Sequence, residues 1–233
     1  MIAVFDMDYT LTQRGTWGRF VWRTVRGRPW LWLPLLASTA STQVAYKRGQ
    51  QPRCAVKKSM MRWSLQARDR NTLERLAEEF ASEEVAQGLR PGALAALDYH
   101  RARGDTIVIA SAAADLIAAP IARALGVEHL VCTELCWNGQ TLQGDFATDN
   151  CYGDAKRRAL AEYIAQQNWC GKPITFYTDS QSDFPLIDMA DCTVVINPKP
   201  KTLAEARARG LPVQCWKVSA SGFQPPETLL AAE

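Results

Sequence analysis

The sequence predicts an α/β domain with a doubly wound, mainly parallel sheet and an inserted helical segment. Three observations predict it: short apolar runs without polar alternation, helical patterns between those runs, and one long stretch in which this rhythm is lost. Continuous apolar runs suit strands covered on both faces, and strands that alternate with helices are typical of parallel sheets. The 233 residues, 47% of them hydrophobic, suffice for one sizeable core.

Four β-branched or apolar runs are the predicted strands. They are residues 2–5, 106–110, 174–177 and 193–196. Helices are predicted between and after them, at residues 115–125, 155–167 and 202–209. The first and third helices stop before Gly126 and Gly210, because glycine adopts the left-handed backbone of a helix end without strain. A hairpin is predicted at Asn138-Gly139, a dipeptide that favours a two-residue turn.

The stretch from about residue 14 to residue 88 departs from the alternating order and is predicted to be a helical insertion. Its clearest helix signal is Asn71-Thr-Leu-Glu74, which resembles a capping box before an apolar helical face. The predicted domains are therefore a core of residues 1–13 and 89–233 and a helical cap of residues 14–88.

Charge is distributed unevenly, although the net charge is only +3. Between Tyr9 and Arg68 there are twelve Lys and Arg residues and no Asp or Glu, and five of the eight tryptophans lie in the same stretch. Such a segment attracts anions, and phosphate groups of lipids or nucleic acids are among them.

Composition also excludes several classes of protein. Seven scattered cysteines, an odd number, argue against a secreted disulfide framework. Two histidines argue against a zinc cluster and exclude phosphohydrolase chemistry that needs several histidines. Since no apolar run reaches the ~20 residues of a membrane span and no cleavable leader is recognisable, a cytoplasmic protein is expected.

Two pairs of carboxylates follow predicted strands. Asp6 and Asp8 come after the first run, and Asp179 and Asp183 come after the run that ends at Tyr177. Side chains at i and i+2 of an extended chain point the same way, and adjacent carboxylates repel each other, so a cation is their natural partner. With oxygen donors and no His or Cys nearby, a hard ion such as Mg²⁺ fits better than zinc.

A hydroxyl and an ammonium are placed to accompany these acids. Ser111 follows the run 106–110, and Lys156 stands at the start of the helix after Gly153-Asp154. Both groups are suited to hold a phosphoryl group. The order Asp-x-Asp-x-Thr, Ser, Lys and Asp-x-x-x-Asp resembles the four motifs of the haloacid dehalogenase (HAD) superfamily, and the resemblance covers residues 1 to about 197 apart from the insertion. It implies an HAD-like Rossmannoid core.

The resemblance assigns a role to each of these residues. It implies that Asp6 is the nucleophile that forms an aspartyl-phosphate, and that Asp8 is the general acid and then the base. The presence of Asp8 favours a phosphatase over a dehalogenase. Ser111 and Lys156 would bind the phosphoryl oxygens.

The same resemblance implies a magnesium site. The Asp6 carboxylate, the Asp8 backbone carbonyl and Asp179 would be its ligands, with Asp183 in a supporting position. One departure is Tyr9, which stands where many relatives carry Gly or Ser and would narrow the entrance.

The insertion after the first motif resembles that of subclass IB, which includes the phosphoserine phosphatases. Those enzymes read the substrate amine with an acid soon after the nucleophile, and its absence here disfavours phosphoserine. The Arg/Trp/Leu-rich residues 27–36 are similar to the cap of phosphatidylglycerophosphatase C, which implies a lipid phosphate and peripheral contact with the inner membrane. The ordinary core of a small helical lobe accounts for this composition equally well.

The sequence therefore predicts a Mg²⁺-dependent phosphomonoester hydrolase whose substrate is a lipid or a small organic phosphate. The alternative is a module that binds nucleic-acid phosphates, or a polynucleotide phosphatase, using the basic, Trp-rich cap. Because the basic residues are not clustered in tandem, nucleic acid is the less favoured partner. The oligomeric state does not follow from the sequence.

Overall fold

The computed structural model describes residues 1–66 and 68–226. The strands within them are β1 (Ile2–Phe5), β2 (Thr106–Ala114), β3 (His129–Thr133), β4 (Leu135–Asn138), β5 (Thr141–Phe146), β6 (Ile174–Thr178), β7 (Cys192–Ile196) and β8 (Val213–Gln214). The α-helices are α1 (Thr16–Val25), α2 (Trp32–Lys47), α3 (Cys54–Ser64), α4 (Arg70–Glu83), α5 (Pro91–Ala102), α6 (Asp115–Ala124), α7 (Asp154–Gln166) and α8 (Pro200–Ala208).

Six strands form one sheet in the order β3-β2-β1-β6-β7-β8, and each neighbouring pair is parallel. The predicted doubly wound α/β fold is therefore confirmed. The chain moves from β1 to β2 on one side and later returns to β6 on the other side of β1. Such a reversal of strand order opens a crevice at the carboxyl ends of the strands, where ligands bind in open sheets.

β1 lies at the centre of the sheet because its four apolar residues need cover on both faces. All four of its residues have no exposed surface, and they alternate between two apolar clusters on opposite faces. Phe5 is level with Ile109 of β2 and with Tyr177 of β6. Because these strands run in parallel, this register brings the residues that follow β1 and β6 to the same edge.

The predicted helical insertion is confirmed as α1 to α4, which lie between β1 and β2 in the chain. Its apolar side is continuous with one face of the sheet, and Phe20 of α1 contacts Phe80 of α4 edge to face at 5.7 Å between ring centroids. The domain limits at residues 13/14 and 88/89 stay a prediction, and residues 227–233 of the predicted core lie outside the described residues.

Three local predictions are corrected by the structure. The hairpin exists as β4 and β5, but Asn138 pairs with Thr141, so the turn lies one residue later, with Gly139 in left-handed backbone at φ 58°. The cap of α4 is Asp69, whose carboxylate accepts a hydrogen bond from the Thr72 amide at 3.0 Å, and not Asn71. The helix therefore begins two residues earlier than predicted, and the Asp69 side chain satisfies one of the free N–H groups of its first turn.

The second predicted strand is also longer than its apolar run. β2 continues to Ala114, so Ser111 lies inside the strand and not after it. The pairing with β3 shifts register between Ala110 and Ala114, which is the irregularity that small residues in this segment permit.

Candidate active site

The carboxyl ends of β1 and β6 meet where the backbone amide of Asp6 donates a hydrogen bond to the Tyr177 carbonyl at 2.9 Å. Lys156, from the first turn of α7, reaches the same point. Its Nζ lies 2.7 Å from Asp6 Oδ1 and 2.8 Å from Asp183 Oδ1. The exposed fractions of Asp6, Lys156 and Asp183 are 6%, 1% and 2%, so one ammonium joins two buried carboxylates.

Burial and the neighbouring charges shift the pKa of each group in this cluster. Burial raises the pKa of Asp6 and Lys156 opposes that rise, while Asp183 and Asp179 add to it. Burial, together with Asp183, raises the pKa of Asp179 to about 6. Burial acts to lower the pKa of Lys156, but the attraction of Asp183 and Asp6 outweighs it and the pKa is raised. The neighbouring carboxyls therefore oppose one another's ionisation at this edge of the sheet.

Asp8 lies against the N-terminus of α1. Its Oδ1 accepts hydrogen bonds from the Thr16 amide at 2.9 Å and from the Thr16 hydroxyl at 2.8 Å. Burial raises the pKa of Asp8, although the two bonds from Thr16 act in the opposite direction. A carboxyl held in this way is oriented by the first turn of the helical insertion.

The turn after β1 depends on an unusual backbone conformation at Tyr9. Its φ of 66° lies in the left-handed region, which costs about 1–3 kcal/mol for a residue other than glycine. The guanidinium Nε of Arg90 donates to the Tyr9 carbonyl at 2.9 Å, and the Thr10 hydroxyl donates to Asp6 Oδ2 at 3.3 Å. These bonds fix the loop that carries Asp6 and Asp8.

Ser111 is buried in β2, and its hydroxyl oxygen accepts a hydrogen bond from the Ala113 amide at 3.1 Å. The structure thus brings Asp6, Lys156 and Asp183 into direct contact. Asp8 and Asp179 lie within electrostatic reach of that cluster, and Ser111 lies on the neighbouring strand.

Sequence reasoning missed Lys57 of α3. Its ammonium donates hydrogen bonds to the Ala112 carbonyl and to Asn150 Oδ1, the latter at 2.9 Å. Burial lowers its pKa to about 8, and Asp8 opposes that shift. In the sequence nothing distinguishes Lys57 from Lys58 or from the other bases of this acid-free stretch, so no local signal could have found it.

The donor set at this edge fits a hard divalent ion in its chemistry. Its acidic side chains are those of Asp6, Asp8, Asp179 and Asp183, and carboxylate oxygens are donors that Mg²⁺ prefers. Over residues 1–66 and 68–226, however, no three acidic, His or Cys side chains are already grouped as metal ligands. Here Lys156 stands between Asp6 and Asp183.

Comparison with known proteins gives a consistent result. The family model described as haloacid dehalogenase-like hydrolase matches residues 3–188. A histidinol-phosphatase of Neisseria meningitidis serogroup C is 24% identical over 227 residues, which cover 93% of this chain and 99% of that protein.

A Mycobacterium tuberculosis protein named as a probable phosphatase is 33% identical over 114 residues, or 49% of this chain. That match spans only 39% of the mycobacterial protein.

Solved structures agree on the fold. A crystal structure of a protein of unknown function from Bordetella pertussis Tohama I has a TM-score of 0.80 and 26% identity, covering 91% of this chain and 96% of that one. A substrate-bound phosphoserine phosphatase has a TM-score of 0.65 and 14% identity, covering 93% and 94% of the two chains. At that identity, the second likeness concerns fold alone.

Proposed function

Because the chain belongs to the haloacid dehalogenase-like hydrolases, we propose that it hydrolyses phosphomonoesters with Mg²⁺ through an aspartyl-phosphate on Asp6. The observation that carries this proposal is the buried cluster of Asp6, Lys156 and Asp183 at the carboxyl ends of β1 and β6, with Asp8 beside it. The phosphatase relatives support the reaction class.

The first half-reaction forms a bond between an Asp6 carboxylate oxygen and phosphorus and breaks the bond from phosphorus to the ester oxygen. That oxygen takes the proton of Asp8, whose pKa is raised by burial. In the second half-reaction, water gives a proton to Asp8 and attacks phosphorus. The bond to Asp6 then breaks, and phosphate leaves.

Lys156 serves both halves of this reaction. Its position between two carboxylates keeps the ammonium charged and fixed, so it neutralises phosphoryl oxygens without moving. Ser111 is proposed as a second donor to those oxygens. Mg²⁺ would be held by the Asp6 carboxylate, the Asp8 backbone carbonyl and Asp179, with Asp183 in support, and it would supply positive charge to the phosphoryl group.

We expect the purified chain to release phosphate from p-nitrophenyl phosphate with Mg²⁺ and to lose that activity in EDTA. Mg²⁺ should also raise the melting temperature, because it reduces repulsion among the carboxylates.

Asp179→Asn is expected to lower kcat/KM at least about 100-fold and to abolish the Mg²⁺-dependent thermal shift. Asp188→Asn, which removes an exposed acid further along the chain in the 3₁₀ segment Gln181–Met189, is the control. A full thermal shift in Asp179→Asn would contradict its place in the site.

For the substrate, we propose a small phosphorylated organic molecule. One relative that matches along nearly its whole length is a histidinol-phosphatase, so histidinol phosphate is the first phosphomonoester to assay. The expected preference is a higher kcat/KM for such a compound than for p-nitrophenyl phosphate.

A second candidate, contact with a lipid surface, is favoured by α2. Leu33, Leu36 and Val44 lie on one face of this helix and are exposed, the first two to 78% and 66%, and Trp30 just before the helix is 69% exposed. Apolar stripes of this kind are normally covered. No helix in the described part of the chain is long and apolar enough to cross a membrane.

The basic residues at the two ends of α2 indicate which kind of surface covers its exposed apolar face. Arg26 and Arg28 precede α2, and Lys47 and Arg48 close it, within the acid-free stretch of the sequence. A second copy of the chain would place like charges against each other, whereas an anionic membrane surface complements them. A helix with an apolar face and basic ends is suited to lie in a membrane interface.

We expect the protein to sediment with anionic vesicles of phosphatidylglycerol and phosphatidylcholine, and to bind neutral phosphatidylcholine vesicles more weakly. The double variant Leu33→Glu/Leu36→Glu should lose vesicle binding at least about tenfold, because each substitution puts a charge into the apolar interface. Ser41→Glu, elsewhere on the exposed surface of α2, controls for added charge. Equal sedimentation of all three proteins would refute the contact, and binding to single-stranded oligonucleotides instead would favour the polynucleotide alternative.

A further inference from the structure

We propose that Lys57 of the helical insertion is part of the phosphate-binding site, where its ammonium takes an oxygen of the bound phosphoryl group. The inference rests on the proposed phosphatase function and adds a group that the four motifs of the core do not include. It assigns substrate binding jointly to the core and to α3.

The direction of the Lys57 side chain follows from the faces of α3. Met61, one turn later, has no exposed surface, so Lys57 lies on the buried face of the helix. Lys58, the next residue, turns about 100° away and forms an ion pair with Asp145 of β5. Two adjacent lysines are therefore separated by the helical period, and Lys57 is the one that points into the site.

The two hydrogen bonds that Lys57 makes do not neutralise its charge. Both acceptors, the Ala112 carbonyl and the Asn150 side-chain oxygen, are neutral. Among the described residues, no carboxylate accepts a hydrogen bond from this ammonium. An ammonium has three N–H donors, so one remains after these two bonds. A half-buried cation without a hydrogen-bonded carboxylate is stabilised by an anion.

The neighbours of Lys57 indicate which anion that is. Ala112 directly follows Ser111 on β2, and Asp8 and Lys156 are both close enough to influence the charge of Lys57. The remaining N–H donor of Lys57 therefore lies between Asp8, the proposed proton donor, and the proposed phosphate-binding residues Ser111 and Lys156. A phosphoryl group is the anion that the proposed reaction places there, and its oxygens accept charge-assisted hydrogen bonds.

One consequence concerns the helical insertion. Lys57 already joins α3 to β2 through Ala112 and to the loop before α7 through Asn150. A phosphoryl group bound by Lys57 from the insertion and by Lys156 from the core would add a third connection. Occupancy of the site would then favour the arrangement in which the insertion covers it.

The test is calorimetric binding of inorganic phosphate to the full chain in Mg²⁺, together with kcat and KM. Lys57→Gln keeps an N–H donor for Ala112 and Asn150 but removes the charge. It is expected to raise the phosphate Kd and the KM about ten- to a hundredfold, the size typical of a lost charge-assisted hydrogen bond. Lys57→Arg should recover part of the affinity, and Lys58→Gln should bind phosphate like the parent.

A second measurement uses the unaltered protein, so it does not depend on how the variants fold. Phosphate should slow acetylation of Lys57 by an amine-reactive ester at least about tenfold, as read by mass spectrometry, and leave Lys58 unaffected. Parent-like phosphate affinity in Lys57→Gln, or no protection of Lys57, would show that this lysine only tethers the insertion. If the parent hydrolyses phosphomonoesters and Asp6→Asn does not, either of these outcomes overturns the role of Lys57 in phosphate binding and leaves the proposed function intact. If neither hydrolyses them, the proposed function fails first.

Discussion

Asp6→Asn is expected to reduce phosphate release on the order of 10⁴- to 10⁶-fold, which is the range seen when a covalent nucleophile is removed. The amide oxygen of Asn is a poor nucleophile, so the aspartyl-phosphate cannot form at that position. Asn keeps an oxygen that accepts the hydrogen bond from Lys156, so the position of the ammonium is preserved.

The same variant separates loss of chemistry from loss of fold. Burial raises the pKa of Asp6, which means that its charge opposes folding when no cation is bound. Asp6→Asn should therefore melt no lower than the parent at pH 8 in EDTA. Asp154→Asn, an exposed acid at the start of α7, is the matched control for activity. Activity above about 1% of the parent in Asp6→Asn would reject Asp6 as the nucleophile.

Lys156→Met is expected to have the second largest effect, on stability as well as on activity. The substitution leaves Asp6 and Asp183 buried without their shared ammonium, and removing one partner of a buried ion pair costs about 3–5 kcal/mol. Phosphate release should fall below detection, because the group that neutralises the phosphoryl oxygens is lost. Urea unfolding at pH 8 in EDTA measures the change in the free energy of unfolding.

The sign of the pH dependence gives an independent check. For an acid whose folded pKa is raised, stability is lost as pH rises from the unfolded pKa near 4 through the folded value. Without Lys156, the positive charge that lowers the pKa of Asp6 is lost, so this pKa rises further. The stability deficit of Lys156→Met should therefore be larger at pH 8 than at pH 5. Lys156→Arg keeps the charge and should lie between the variant and the parent, while a deficit independent of pH would contradict this account.

The parts of the fold that were predicted correctly depend on local patterns. Continuous apolar runs identified the central strand β1 and its neighbour β6, because strands buried on both faces need apolar side chains at every position. The helix that presents Lys156 was predicted within one residue of its observed start. Among the corrected details, the extension of β2 depends on its pairing with β3, which no local pattern encodes. The cap at Asp69 and the hairpin turn differ from the predicted positions by only one or two residues.

By itself, the sequence determined the strands β1, β2, β6 and β7, the helices α6 to α8 and the residues that follow β1 and β6. The periodicity of side chains along a strand or helix is a local property. Only the tertiary structure decided that Lys156 lies between Asp6 and Asp183, and that Lys57 rather than Lys58 faces the site. Both outcomes depend on distances between residues far apart in the chain. Charge interactions act through space and not along the sequence, so such pairings become visible only after the chain has folded.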